Sequence, residues 1–286
     1  MVWWRWVFSS RLLPSWSSFR WADGAAGAVR RVSYGLLNTS FNFLLPDDCR
    51  VCGESLREFS RVPVCSRCLH EPEPLAAEFF CSDCRTPFVN EFPLDENGRC
   101  MLCRLGLQGF DAAYSYGSYE GTLRKLVHLF KYSGMRPLAG PFGKLLTRAL
   151  PRDQQFDLIV PMPLHWFKRW RRGFNQADLL AREIGRKWQV PVREVVRRRK
   201  ATSPQAGLTN AKRRANVAGA FRVPRGRRLD GLRVLLVDDV LTTGATASAC
   251  ARALKRAGAA HVSLLALART DRRAAIEIPV AEGARA

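Results

Sequence analysis

Long apolar runs are missing from this 286-residue chain, and acidic side chains are scarce beside basic ones. A helix that crosses a bilayer needs roughly 20 consecutive apolar residues. The Trp-rich opening, MVWWRWVFSSRLLPSWSSFRW, is broken by Arg5, Arg11 and Arg20, which excludes a transmembrane helix there. No secretory signal is read, which argues against an extracellular disulfide framework. Only 25 acidic residues face 46 basic ones, for a formal charge of +21, and that balance favours polyanionic partners: nucleic acid, phosphorylated metabolites or an anionic membrane surface. What is plentiful is apolar content, at 47%, which excludes wholesale disorder.

The shortage of acids is uneven. Residues 1–30 hold one, Asp23, among Trp, Arg and Ser. They read as a disordered leader, or as a targeting or membrane-surface segment, or as a start site placed too early. An amphipathic segment over 31–45 follows, then a cysteine-rich module over 46–108, an α/β domain over 109–270 and a tail over 271–286. The length suits one α/β domain with an accessory module.

Eight of the nine cysteines form four Cys-x-x-Cys knuckles: Cys49/Cys52, Cys65/Cys68, Cys81/Cys84 and Cys100/Cys103. Intervals of twelve, twelve and fifteen residues separate them. Two knuckles make one tetrahedral four-thiolate site, so eight thiolates suit two structural zinc ions, with sequential and interleaved pairings both open. Large apolar residues are few across 46–108. Metal must therefore supply much of the folding energy, on the order of 10 to 16 kcal/mol per site, and chelation is expected to unfold this module and spare the rest.

The α/β domain is organised around Val234–Thr246, VLLVDDVLTTGAT. Val234–Val237 have the length and β-branching of a strand buried on both faces. Asp238 and Asp239 follow, then the small, hydroxyl-bearing turn Thr242-Thr243-Gly244-Ala245-Thr246 and a helix-forming run over 247–257. A Gly-containing turn at a helix N-terminus gathers backbone N–H groups around an anion. Neighbouring carboxylates accept hydrogen bonds from vicinal hydroxyls or hold magnesium through water. A ribose 5-phosphate is the implied ligand, and an ordinary Asp-capped βα junction is the bland alternative.

Upstream, DAAYSYGSY (111–119) reads as a strand pair turning at Gly117. Leu123, Leu126, Val127 and Phe130 mark an amphipathic helix with Lys125 and Lys131 on its polar flank. FDLIVPMP (156–163) reads as a second buried strand broken off by Pro161 and Pro163, leaving the amides of Met162 and Leu164 free to meet an anion. In HWFKRWRRGFNQ (165–176) basic residues alternate with aromatics, a pattern that grips diphosphate or stacks on single-stranded bases; a solvated loop is the bland reading. A helix over 175–188 and a short strand over 190–196 come next. Eleven basic residues and no acid then fill Arg197–Arg228.

All thirteen positions of VLLVDDVLTTGAT resemble the 5-phosphoribosyl 1-diphosphate fingerprint of type I phosphoribosyltransferases. The order of four knuckles, PMPLH, RRGFNQ, TSPQAGL with RRANVAGAF, and the fingerprint is similar to the ComF/GntX family of phosphoribosyltransferase-like proteins over about 36–270. The leader before residue 31 departs from that pattern. The resemblance implies a type I phosphoribosyltransferase fold, a parallel sheet flanked by helices with a hood, preceded by a double zinc ribbon. It implies a cytoplasmic bacterial protein linked to natural transformation, whose partners are 5-phosphoribosyl 1-diphosphate and magnesium, single-stranded DNA, and a competence helicase or other DNA-processing protein.

Mapped here, the resemblance puts Asp238 and Asp239 on ribose hydroxyls and the magnesium shell and wraps Thr242, Thr243, Gly244, Ala245 and Thr246 around the 5-phosphate. It lays Met162, Pro163 and Leu164 against diphosphate, helped by Arg169, Arg172 and the hood residue Arg213. The basic run resembles the mobile hood that closes over diphosphate. Displacement at ribose C1 by a nitrogen nucleophile needs no side-chain nucleophile, so Cys250 reads as core, and His128 and His261 as packing or surface. The alternative is a non-catalytic single-strand-binding competence factor that uses the pocket as a ligand sensor. Paired acids buried in a salt bridge, or a turn plugged by side chains with no room for a sugar, would collapse the transferase reading.

Overall fold

Short turns built on sulfur open the described chain. The computed structural model describes residues 48–56, 62–106, 108–198 and 219–270, so the leader, the 31–45 segment, the tail, Arg213 and most of the expected hood lie outside them. Asp48–Glu54 and the described residues from Val62 onward form one compact unit. In the first knuckle Gly53 N donates to Cys49 O at 2.7 Å, and Gly53 takes a φ of 78° that a side chain would strain. Cys65 caps helix α1 (Ser66–His70). The second pair of knuckles is framed by a two-residue hairpin, β1 (Phe79–Phe80) with β2 (Pro87–Phe88), and by helix α2 (Met101–Arg104).

A four-stranded parallel sheet follows, in the order β3 (Ala112–Ser118), β8 (His261–Arg269), β7 (Arg233–Leu241), β4 (Leu158–Pro161). All-parallel strands need both faces covered, which their near-continuous apolar sequences supply. On one face lie α3 (Gly121–Tyr132), α4 (Ala139–Ala149) and α6 (Gln176–Trp188), where Phe130 meets Phe142 edge-on with centroids 5.3 Å apart. On the other, Val160, Val234, Leu236, Val262 and Leu264 share a buried core with α7 (Ala245–Arg256). Cys81, Cys84, Cys100 and Leu102 of the cysteine module join that same core. The short pair β5 (Arg197–Arg198) and β6 (Phe221–Arg222) borders this face.

Several expectations shift. Residues 111–119 make one strand, not two; Gly117 is there because the chain at Glu73 crosses so close that a Cβ would stand 2.7 Å from Glu73 O. The 190–196 strand shrinks to a single parallel bridge, Val192 to Ile159. HWFKRWRRG is a short helix, α5 (Trp166–Arg172), rather than a loop, with His165 as its cap and Gly173 ending it at φ 73°. Strand β7 does not stop at Val237 but runs through both aspartates to Leu241, held by β8, whose partner for Leu241 is Arg269. Strand β4 is the short one: its last pair is Pro161 with Val237. Beyond it one bond remains, Met162 N to Val237 O at 2.8 Å. The edge of β7 from Asp238 onward is thereby uncovered on that side.

Candidate functional site

Ligands in open α/β sheets bind outside the carboxyl ends of the strands, and the unequal ends of β4 and β7 form such a crevice. A cavity of about 330 Å³ lies there, lined by Met162, Pro163 and Leu164 from the β4 turn and by Asp238, Asp239, Thr242, Gly244 and Thr246 from β7 and its turn. That size falls within the range of small-molecule sites. Of the expected residues, Arg172 also lines it, whereas Thr243 and Ala245 do not: Thr243 Oγ1 accepts instead from Ala245 N at 3.5 Å, inside the turn. Arg169 is not among the lining residues; its guanidinium turns outward to Glu194, 3.3 Å away.

Successive strand residues face opposite sides, so the two aspartates do not sit in parallel. Asp239 turns toward α3 and pairs with Lys131 Nζ at 2.9 Å, each side chain 14% exposed. Lys131 was expected to face water; it stands eight residues after Leu123, in line with the apolar stripe, and that spacing was the signal that could have found it. Burial pulls the Lys131 ammonium down, but the nearby Asp239 carboxylate outweighs it and holds the amine charged. One acid of the pair is thus engaged in a salt bridge, yet the cavity stays open beside it. Asp238 turns to the other face. Burial first, and then the charge of Asp239, push its carboxyl up to about 7, against the pull of the Asp239 amide, Lys131 and Arg198. Its Oδ1 accepts from Asp239 N at 2.9 Å.

Lys168, Arg198, Tyr119, Asn175 and Gln176 complete the wall. Burial and the neighbouring Arg198, Arg172 and Lys131 charges lower the Lys168 amine, the mark of a cation cluster with too few anions. Asn175 pins the β4 turn: Nδ2 donates to Met162 O at 3.1 Å while Oδ1 accepts from Ala177 N at 3.2 Å, capping α6. Arg172 donates to Gln176 Oε1 at 3.1 Å and lies over the Tyr132 ring at 5.0 Å. The RGFNQ stretch thus acts on the cavity largely through buried polar contacts. His165 is a cap, its Nδ1 accepting from Phe167 N at 3.3 Å.

The cysteines gather sequentially into two clusters, Cys49/Cys52/Cys65/Cys68 and Cys81/Cys84/Cys100/Cys103, with all sulfurs of each within 4.8 Å of one another. Four sulfurs held 2.3 Å from a tetrahedral centre stand about 3.8 Å apart. Sγ separations of 3.7 Å for Cys52–Cys65, 3.5 Å for Cys81–Cys103 and 3.7 Å for Cys84–Cys100 fit that figure. Cys65 N and Cys100 N each donate to a sulfur, of Cys49 and Cys81, at 3.3 Å. The hydrogen bond with Cys84 leads in pulling the Cys100 thiol down to about 5, while Cys84 and Cys103 are pushed up. A donor set this crowded accepts four thiolates only around a divalent cation. Both clusters could hold zinc. His70 stays out, its Nδ1 2.7 Å from Ser66 O, and Cys250 is buried in the core.

The phosphoribosyl transferase domain family matches residues 170–281. The chain is 34% identical over 178 residues to competence protein F of Haemophilus influenzae, covering 59% of this chain and 78% of that one. It is 31% identical over 238 residues to the DNA utilization protein YhgH of Escherichia coli K12, covering 79% and 98%. The chain belongs to the ComF family of phosphoribosyltransferase-like proteins. A more distant ComF relative, the competence protein ComFC of Bacillus subtilis, is 24% identical over 270 residues, covering 87% and 100%. The ComF domain here has the type I phosphoribosyltransferase fold, a parallel sheet between helices, preceded by two four-cysteine clusters compatible with zinc ribbons. Among the described residues no helix is long and apolar enough to cross a membrane.

Proposed function

We propose that the cavity binds 5-phosphoribosyl 1-diphosphate with magnesium, and that the protein is a phosphoribosyltransferase serving DNA uptake in the bacterial cytoplasm, each four-cysteine cluster holding one structural zinc ion. The observation that carries this reading is the convergence in one 330 Å³ crevice of two carboxylates, a helix-terminal turn and a cluster of cations that includes Lys131, Lys168 and Arg172. Relatives named for competence and DNA utilization supply the cellular setting.

In this reading the first-turn amides after Gly244, with the hydroxyls of Thr242 and Thr246, hold the 5-phosphate. Asp238 and Asp239 accept hydrogen bonds from the ribose hydroxyls, Asp239 exchanging its ammonium partner for them. Met162–Leu164 lie against the diphosphate, and Lys168, Arg172 and Arg198 face its charge. Arg213 joins from the hood. A nitrogen lone pair forms the bond to C1 as the C1–O bond breaks and that bond's electrons leave with the diphosphate, the nitrogen giving up its proton to solvent; fixed cations and amides favour the growing charge. Magnesium, when bound, would neutralise the diphosphate, and Asp239 and Asp238, whose Oδ1 already accepts from Asp239 N, would hold it through water. Titration with 5-phosphoribosyl 1-diphosphate, with and without magnesium, tests this. The double substitution Asp238→Ala/Asp239→Ala should weaken binding about a hundredfold or more, since each carboxylate hydrogen bond contributes roughly 1.5–3 kcal/mol; no binding by the wild type would end the reading.

A second reading, compatible with the first, concerns single-stranded DNA. Trp166, Phe167 and Trp170 on α5 are 71%, 49% and 77% exposed, beside Lys168, Arg169 and Arg171. Exposed rings interleaved with cations form a stacking platform for bases, with a helicase or other DNA-processing protein as the natural neighbour.

A further inference from the structure

The phosphate turn and the second cysteine cluster touch. Gly244 stands in the left-handed region at φ 76°, where it caps α7 and starts the turn's run of amides. A Cβ on Gly244 would stand 2.9 Å from Leu102 Cδ1, with Phe110 Cζ and Leu241 Cδ1 each 3.7 Å away. Leu102 is the third residue of the knuckle Cys100-Met101-Leu102-Cys103, and it is buried, as are both cysteines around it. The chain leaving the knuckle stays against the same helix: at Gly109 a Cβ would run into Ser248 O of α7 and stand 2.8 Å from Arg252 Cγ. Two glycines far apart in sequence thus allow one close seam between the cysteine module and the start of α7.

We propose that the second four-cysteine cluster braces the phosphate-binding turn through Leu102: metal in the cluster fixes the Cys100–Cys103 knuckle, the knuckle fixes Leu102, and Leu102 holds Gly244 in the geometry that presents the turn to an anion. This rests on reading the cavity as a sugar-phosphate site and the cluster as a zinc site. Leu102 is a positioning residue; it is not among the cavity-lining residues, and it acts from behind the turn. Knuckle geometry explains why the connection runs through this residue. The sulfurs at either end of α2 are tied to Cys81 and Cys84, so a single short turn has almost no freedom except what loss of the metal would return to it. Metal content would then control sugar-phosphate affinity without any cysteine touching the ligand.

The test compares full-length wild type, Leu102→Ala and Leu102→Met, each with its zinc content measured. Hydrogen exchange is followed over 241–248, alongside titration with 5-phosphoribosyl 1-diphosphate and magnesium. Leu102→Ala should keep two zinc ions, exchange at least tenfold faster over 241–248 with β3 and β4 unchanged, and bind about tenfold more weakly. Leu102→Met, which restores the reach to Gly244, should recover both. If Leu102→Ala does not fold, Leu102→Val, which withdraws only the outermost carbons, must move exchange in the same direction by less. Unaltered exchange over 241–248 in a zinc-loaded variant lacking the Leu102 side chain overturns the proposal. Failure of the wild type to bind the sugar phosphate would remove the reading of the cavity instead, and the exchange arm would still decide this one.

Discussion

At the scale of single residues, the site is set by what the paired aspartates do with their charge. Asp239 has an ammonium at 2.9 Å; Asp238 has only more distant cations and the acid next to it. A carboxyl whose native pKa is raised from 3.8 to about 7 binds more protons folded than unfolded between those values, so stability falls as pH rises through that window. The penalty is complete above about 7 and absent below about 4. Asp238→Asn cannot ionise, so it should melt a few degrees above wild type at pH 8, the gap closing by pH 4, as thermal unfolding across that range would show. A gap constant with pH would mean that Asp238 titrates normally. The aspartates and the Thr-Thr-Gly turn were legible because their chemistry lies in consecutive residues. Lys131 was not, since it approaches from a separate helix, and Lys168 and Arg198 were legible only as members of basic runs, because which residue of a run turns inward depends on packing. Lys131 at least broke the polar–apolar rhythm of its helix.

At the scale of elements, the two cysteine clusters differ in their surroundings. In the first, Cys52 is exposed and Cys65 half-exposed; in the second all four cysteines are buried within the core that α7 shares with the sheet. A competing chelator reaches an exposed ligand first, whereas the buried site must open against apolar packing. Zinc release to excess chelator, read with a metal-sensitive dye, should come in two phases of one ion each, the slower one accompanied by loss of core packing seen in near-ultraviolet circular dichroism. A single phase releasing both ions together would contradict it. Spacing marked the knuckles clearly but left the pairing open, because sulfur pairing depends on how the chain turns between them. Helix α6 was read close to its ends, and the apolar stripe expected for α3 is the face it buries. Strand ends were read less well, since β7 is prolonged by β8 beside it rather than by its own residues.

At the scale of the whole molecule, the single-strand reading proposed above predicts separable contributions from the +21 charge and from the exposed rings of helix α5. Each neutralised phosphate of a single strand adds about 0.7 to the steepness of affinity against salt on logarithmic axes. Replacing Arg171, Arg172, Arg213 and Arg214 should flatten that dependence by up to about 3, while Trp166→Ala and Trp170→Ala should weaken binding at every salt concentration with the steepness kept. Fluorescence anisotropy with a labelled oligonucleotide measures both. An unchanged slope in the arginine variant would place the DNA contact elsewhere. Composition announced a taste for polyanions but could not say where the rings would lie, because exposure is a property of packing.

Strand β4 halts at Pro161 while β7 continues four residues past their last pair, from Asp238 to Leu241. Over four residues that is about 13 Å of β7 left bare on one side. Capacity for a guest comes here from a piece of secondary structure left unfinished. Lengthening or trimming the turn after Pro161 can therefore resize the chamber and change which molecules enter it, while the acids, the glycine and the sheet behind them keep their places.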